Sequence, residues 1–121
     1  MDPRQKLPDA SHPITVTPTG KRVVVELDGT VIADTTEALT LQESTYPAVQ
    51  YLPVGAVDAA VLQGSDHHSY CPFKGEADYF HLGRNGEQEN SVWIYRSPYD
   101  AVAEIKDHVA FYPDKVTITI G

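Results

Sequence analysis

At 121 residues, with 41% hydrophobic and 9% aromatic side chains, the chain is sized for one domain with one substantial core and is too rich in aromatic anchors to stay disordered. Nine Lys and Arg against 17 Asp and Glu leave a formal charge of −8, with no basic run to track a phosphate backbone, so nucleic acid is excluded as an expected partner. Cys71 is the one cysteine, which rules out an internal disulfide and leaves no cysteine set for a structural zinc.

Residues 1–12 mix Asp2, Pro3, Gln5, Lys6, Pro8 and Asp9 without an apolar period, and are expected to form a flexible N-terminal arm ahead of a single domain over residues 13–121. This polar start lacks the apolar centre of a secretion signal, and no stretch approaches the ~18 apolar residues that span a bilayer. A cytoplasmic protein with no membrane partner is expected.

From Pro13, Ile14 and Val16 alternate with threonines, a turn follows at Pro18 to Lys21, and Arg22 to Leu27 supply a β-branched run. Asp28-Gly29 then predicts a tight hairpin into Thr30 to Ala33, because a primed two-residue turn needs positive φ at both central positions. Short strands are predicted over 38–43, 49–52 and 59–63, with turns around Tyr46-Pro47 and Pro53 to Asp58, and Gly64-Ser65-Asp66 reads as a loop. A longer pair, 77–82 and 91–95, is joined by the polar loop Gly83 to Asn90. One helix is predicted near residues 98–106, with Ser97 as N-cap, Pro98 at the first position, and Ala101, Val102 and Ile105 as its apolar face. Strands at 109–112 and 116–120 close the chain, the last alternating Val116, Ile118 and Ile120 with threonines. The fold class is mainly β: a small antiparallel folded sheet, a half-open barrel, carrying one short helix.

The run Cys71-Pro72-Phe73-Lys74-Gly75 carries the most chemistry. Pro72 fixes its own φ and biases Cys71 to an extended backbone, while Gly75 permits a turn closed to other residues, so the thiol and Lys74 are held in one geometry. An adjacent ammonium favours the thiolate, the nucleophilic form; equally, Lys74 can anchor an anionic ligand beside a Cys71 that lines a pocket or packs as a small hydrophobe. Glu43, ending an apolar segment before Tyr46-Pro47, is the natural counter-charge. Period-two geometry places Ser91, Trp93 and Tyr95 on one face of their strand and Val92 and Ile94 on the other, with Tyr79 opposite Trp93 if the 83–90 loop sets that register. His67 and His68 adjoin the run but face opposite ways on a strand, so a cysteine–histidine pair would use His68 or His81; His12 and His108 are scattered, and no metal site is expected.

Beyond these patterns the chain resembles, over residues 12–120, the bacterial and fungal proteins grouped as domain-of-unknown-function family 427. The resemblance rests on Ala33-Asp34-Thr35, Ala38-Leu39 through Glu43, Tyr46-Pro47, Tyr51, Cys71 to Gly75 with Ala77 and Tyr79, Trp93-Ile94-Tyr95, Pro98-Tyr99 and Ala110-Phe111-Tyr112. It implies a β-tent fold, similar to that of methionine sulfoxide reductase B and several zinc-holding modules. This chain lacks the zinc cysteines, and it lacks a second cysteine to resolve an oxidised Cys71, so an external thiol would have to serve. Ser69 stands where members usually carry threonine. The family is also labelled a nucleotidyltransferase family, yet these residues include no glycine-rich phosphate cradle and no closely spaced Asp pair for two-metal chemistry.

Together these residues predict a pocket of Glu43, Tyr46, Cys71, Lys74, Tyr79 and Trp93, with Tyr95 and His68 as further ligand contacts, that binds a small polar or anionic molecule. No cofactor is identifiable, and a homodimer stays open. Two alternatives use other classes. One is an enzyme with Cys71 as nucleophile or Lys74 as acid or amine nucleophile and Glu43 as proton acceptor. The other is an interaction module that docks partners on a free sheet edge and the acidic surface.

Overall fold

Alternating β-branched residues at both ends of the chain make strands of it, and the computed structural model, which describes residues 2–121, arranges ten of them in two antiparallel sheets. They are β1 (Ile14–Pro18), β2 (Val23–Leu27), β3 (Thr30–Thr35), β4 (Leu39–Glu43), β5 (Val49–Pro53), β6 (Leu62–Cys71), β7 (Gly75–Leu82), β8 (Gln88–Ile94), β9 (His108–Phe111) and β10 (Thr117–Ile120). The larger sheet runs β1-β4-β5-β9-β8-β7-β6 and the smaller β10-β2-β3. Both sheets stay open, so the mainly β, folded-sheet expectation holds. Among the described residues no helix is long and apolar enough to cross a membrane.

The Asp28-Gly29 turn forms as its sequence dictates, with φ of 51° and 82° at the two central residues and Leu27 facing Thr30. Along β8 the period-two alternation divides the protein. Val92 and Ile94 are fully buried among Val23, Val25, Leu52 and Val109, an aliphatic core shared by the two sheets. On the other face, Trp93 and the adjoining Tyr95 meet Leu41, Tyr51, Ala77, Val102 and Ile105 in a second, aromatic core. Each fully buried aliphatic side chain contributes roughly 1.5–3 kcal/mol, so both cores stabilise the fold, the aliphatic one with the larger set of buried residues.

Three predicted elements take a different form. Ala59–Val61 is a 3₁₀ turn, capped by the Asp58 carboxylate accepting from the Ala60 N–H. The strand begins only at Leu62 and runs ten residues through the expected loop Gly64-Ser65-Asp66. A bulge makes this workable: Gly64 faces Phe80 and His68 faces Asp78, four steps on β6 against two on β7. Because β6 is an edge strand, its polar side chains stay solvated.

The predicted helix is replaced by a 3₁₀ segment, Asp100–Ile105, that starts from Tyr99 without a side-chain cap and breaks at Val102 (φ −130°, ψ 31°). Ser97 therefore caps nothing, and Ala101 is exposed. Two constraints outweigh helix propensity. β8 and β9 are neighbours, Ile94 facing Val109, so the connection must turn straight back. The buried pair Val102 and Ile105 is also spaced by three, which suits the tighter three-residue turn.

Residues 2–12, expected as a flexible arm, lie against the hairpin between β6 and β7. The Lys6 N–H donates to the Pro72 carbonyl (2.9 Å), the Arg4 guanidinium sits 3.8 Å over the Tyr70 ring, and His12 stacks on Phe73 with ring centres 4.2 Å apart.

That hairpin turns over three residues, Cys71 facing Gly75, with the Lys74 N–H donating to the Cys71 carbonyl (3.2 Å). Gly75 closes it at φ 107°, where a side chain is strained although an added Cβ would only touch the Ser97 carbonyl, at 3.5 Å. Gly75→Ala is expected to destabilise the fold by about 1–3 kcal/mol, read as a lower urea midpoint at unchanged m-value.

Candidate functional site

The aromatic face of the larger sheet does not close completely. It encloses a cavity of about 290 Å³. Leu41 and Glu43 of β4, Val49 and Tyr51 of β5, Tyr79 of β7 and Trp93 of β8 reach it because they share one face by alternation; Tyr46-Pro47, Lys74, Tyr95 and Tyr112 enter from the flanking turns. Tyr79 faces Trp93 across β7 and β8, the register that sets these rings side by side.

Charge enters this aromatic wall at one point. Lys74 Nζ donates to Glu43 Oε1 (2.5 Å), and His12 Nε2 lies 2.8 Å from Glu43 Oε2. An ionised carboxylate accepts only, so His12 carries its proton on Nε2. Lys74 and Glu43 side chains are 11% and 15% exposed, so both charges are largely out of water. Burial works to raise the Glu43 pKa, but the hydrogen bonds from Lys74 and His12 and their charges outweigh it and hold the carboxyl below its usual range.

The rings are tied to each other by their polar ends. Trp93 Nε1–H donates to the Tyr51 hydroxyl (3.1 Å), and the Tyr79 hydroxyl pairs with Ser69 Oγ (2.9 Å). Burial pushes the Tyr51 and Tyr95 phenols well above their ordinary range, and burial together with a hydrogen bond to Tyr79 raises that of Tyr112. These phenols stay neutral at physiological pH. The cavity therefore offers neutral hydroxyls, one ammonium and the Glu43 carboxylate paired with it. Among the described residues no group of three or more His, Cys, Asp or Glu side chains is placed to hold a metal ion.

Of the predicted site residues, Glu43, Tyr46, Lys74, Tyr79, Trp93 and Tyr95 are brought together here. Cys71 is half-buried and is not among the lining side chains. His68 is separated from them. It lies on the opposite face of β6, largely exposed, with Nδ1 2.8 Å from Asp78 Oδ1, and Arg96 holds the other Asp78 oxygen (3.0 Å). That face carries a second hollow of about 290 Å³ lined by Asp2, Arg4, Tyr70, Asp78 and Arg96 among others. Its arginines are paired as Lys74 is, Arg4 with Asp2 and Arg96 with Asp78, but at 57% and 53% exposed they are screened by water, which makes it the weaker site for an anion.

Besides the aliphatic and proline lining, Tyr51, Tyr112 and His12 are not among the predicted site residues. Tyr51 is reachable by alternation from Val49, and Tyr112 lies just beyond β9. His12 has no local signal. It comes to Glu43 only because β1 pairs with β4, Ile14 facing Glu43.

A family model described as domain of unknown function DUF427 matches residues 15–120, nearly the whole chain. The chain belongs to the DUF427 family. No curated protein matches it. Within this DUF427 chain, Glu43, Lys74 and the cavity aromatics all fall inside the matched segment, and His12 lies ahead of it.

Removing one partner strands the other charge in a poorly hydrated place. Lys74→Met is expected to cost up to roughly 3–5 kcal/mol, more than Lys6→Met in the exposed arm segment, as measured by chemical denaturation. The pH dependence has a definite sign. Because the folded pKa of Glu43 lies below its ordinary 4.5, its contribution is complete above that value and is lost as pH falls through the folded pKa. Melting curves between pH 6 and 3 should therefore fall less steeply for Glu43→Gln than for the natural protein.

Proposed function

We propose that this DUF427 protein binds a small polar or anionic molecule in the aromatic cavity, with Lys74 as the charged anchor. The observation that carries this is a largely buried ammonium opening onto a cavity of about 290 Å³ walled by tyrosine and tryptophan rings. An ammonium has three N–H donors and Glu43 takes one, so two are left for a ligand. The ring faces suit a planar or apolar body, and the neutral phenols suit hydroxyl or carbonyl groups.

An acid–base enzyme is the second reading, favoured by the hydrogen-bonded row His12–Glu43–Lys74. It ranks behind binding for a physical reason: a carboxylate engaged at both oxygens and held below its usual pKa is a weak proton acceptor. Lys74 as proton donor survives that objection.

A thermal-shift screen of the natural protein and Lys74→Met against carboxylic acids, sugar phosphates, nucleotides and cofactors tests the proposal. A ligand at a hundred times its Kd stabilises by about 2.7 kcal/mol, a shift of several degrees. The expected result is an upward shift with anionic compounds that is absent in Lys74→Met. A screen in which no anion shifts the natural protein sinks the binding reading and favours an interaction module.

A further inference from the structure

Beside the mouth of the Lys74 cavity runs an apolar groove of about 310 Å³ between the two sheets, lined among others by Val49, Trp93, Phe111, Pro113, Ile118 and Ile120. Val49, Trp93 and Pro47 line both the cavity and the groove, so the two hollows adjoin at these residues. At the outer end Ile120 is 47% exposed, and Tyr46 and Tyr112, at the cavity mouth, are exposed too. A run of apolar surface left open to water and joined to a charged anchor has the shape of a site for a two-part ligand.

We propose that the site takes an amphipathic monocarboxylate, its carboxylate on Lys74 and its alkyl or aryl tail along Trp93 into the groove at Ile118 and Ile120. The inference rests on the anionic-ligand reading of the Lys74 cavity and specifies the ligand class. Spare donors select the head group. Glu43 stands 2.5 Å from Lys74 Nζ, so the pair carries little net charge and the head group is held through the two spare N–H donors, which the two oxygens of a carboxylate can accept. Composition selects the tail: apart from Gln50, the groove presents aliphatic, proline and aromatic side chains. Trp93, which borders both hollows, is held in place by its bond to the Tyr51 hydroxyl.

Trp93 is the one tryptophan of the chain, so its fluorescence reports occupancy directly. The experiment titrates straight-chain monocarboxylates from butanoate to decanoate, below their micelle concentrations, into the natural protein, Ile120→Gln and Lys74→Met, with calorimetry as a second readout and sedimentation for the oligomeric state. Each added methylene is expected to tighten binding about fourfold until the groove is filled. Ile120→Gln should flatten that series for the longer chains and leave butanoate unchanged, and Lys74→Met should weaken every member. Lys74-dependent binding that does not vary with chain length overturns the two-part ligand and leaves the anionic cavity standing. The two-part ligand is equally overturned if Ile120→Gln leaves the chain-length series unaltered, or if the protein is a dimer that Ile120→Gln dissociates, since a second copy then fills the groove. Failure of every monocarboxylate to bind overturns this inference, and the screen of other anions then decides the cavity on its own.

Discussion

The Lys74–Glu43 ion pair is the interaction around which the aromatic half of the protein is organised. Its partners stand 31 residues apart, one at the end of β4 and one in the β6–β7 turn, and His12 bonds the second carboxylate oxygen. Three segments distant in sequence therefore converge on one carboxylate. Such a pair is poor evidence for stability, since desolvation consumes much of the Coulombic gain and a well-packed apolar substitute often does as well. The proposed binding role offers another reason for its geometry: a charge kept out of water would act on a ligand at a lower effective dielectric than any surface lysine offers.

Strand alternation makes room for that cavity. On the aliphatic face of β8, Val92 and Ile94 interdigitate with branched side chains and are fully buried. On the other face, Trp93, Tyr95, Tyr51 and Tyr79 are wide, flat and tipped with polar groups that must find partners, so edge-to-face contacts such as Tyr51 with Trp93, 6.4 Å between centres at 83°, replace close packing. The same period-two rule yields a dense core on one side and a lined hollow on the other. The candidate site thus lies on one side of a single strand, and the aliphatic core on the other.

Much of this was legible in the sequence where the signal is local. Asp28-Gly29 specifies its turn through backbone sterics alone, and the 91–95 alternation sorts aromatic from aliphatic residues without knowledge of any partner strand. Tyr79 opposite Trp93 follows from antiparallel pairing once the loop length permits it. The failures occur where the tertiary context decides. Gly64-Ser65-Asp66 reads as a loop because the chain cannot announce a two-residue bulge on an edge strand. The 97–106 segment carries good helix signals, but the return from β8 to its neighbour β9 leaves it a 3₁₀ path. His12 sits in a segment that composition marks as an arm, and Lys74, in a turn where lysine is ordinarily solvated, is 9% exposed. His68 illustrates the converse: proximity to Cys71 in sequence is cancelled by the face on which its strand presents it.

The placement of Cys71 and Lys74 shows how one tight turn can favour one chemistry over another. A three-residue connection that closes on a glycine at φ 107° fixes where each side chain goes. Lys74 reaches Glu43 and lines the cavity, whereas Cys71, paired with Gly75 at the strand end, stays half-buried outside the lining. The turn thus parts the two groups, the ammonium meeting the carboxylate and the thiol left at the strand end. The ammonium, by contrast, is anchored by a carboxylate that is itself braced by His12, so it does not have to be ordered when a ligand arrives, and the entropy of fixing a long flexible side chain has already been met in folding. Preorganisation of this kind supports the proposed recognition through charge and ring faces.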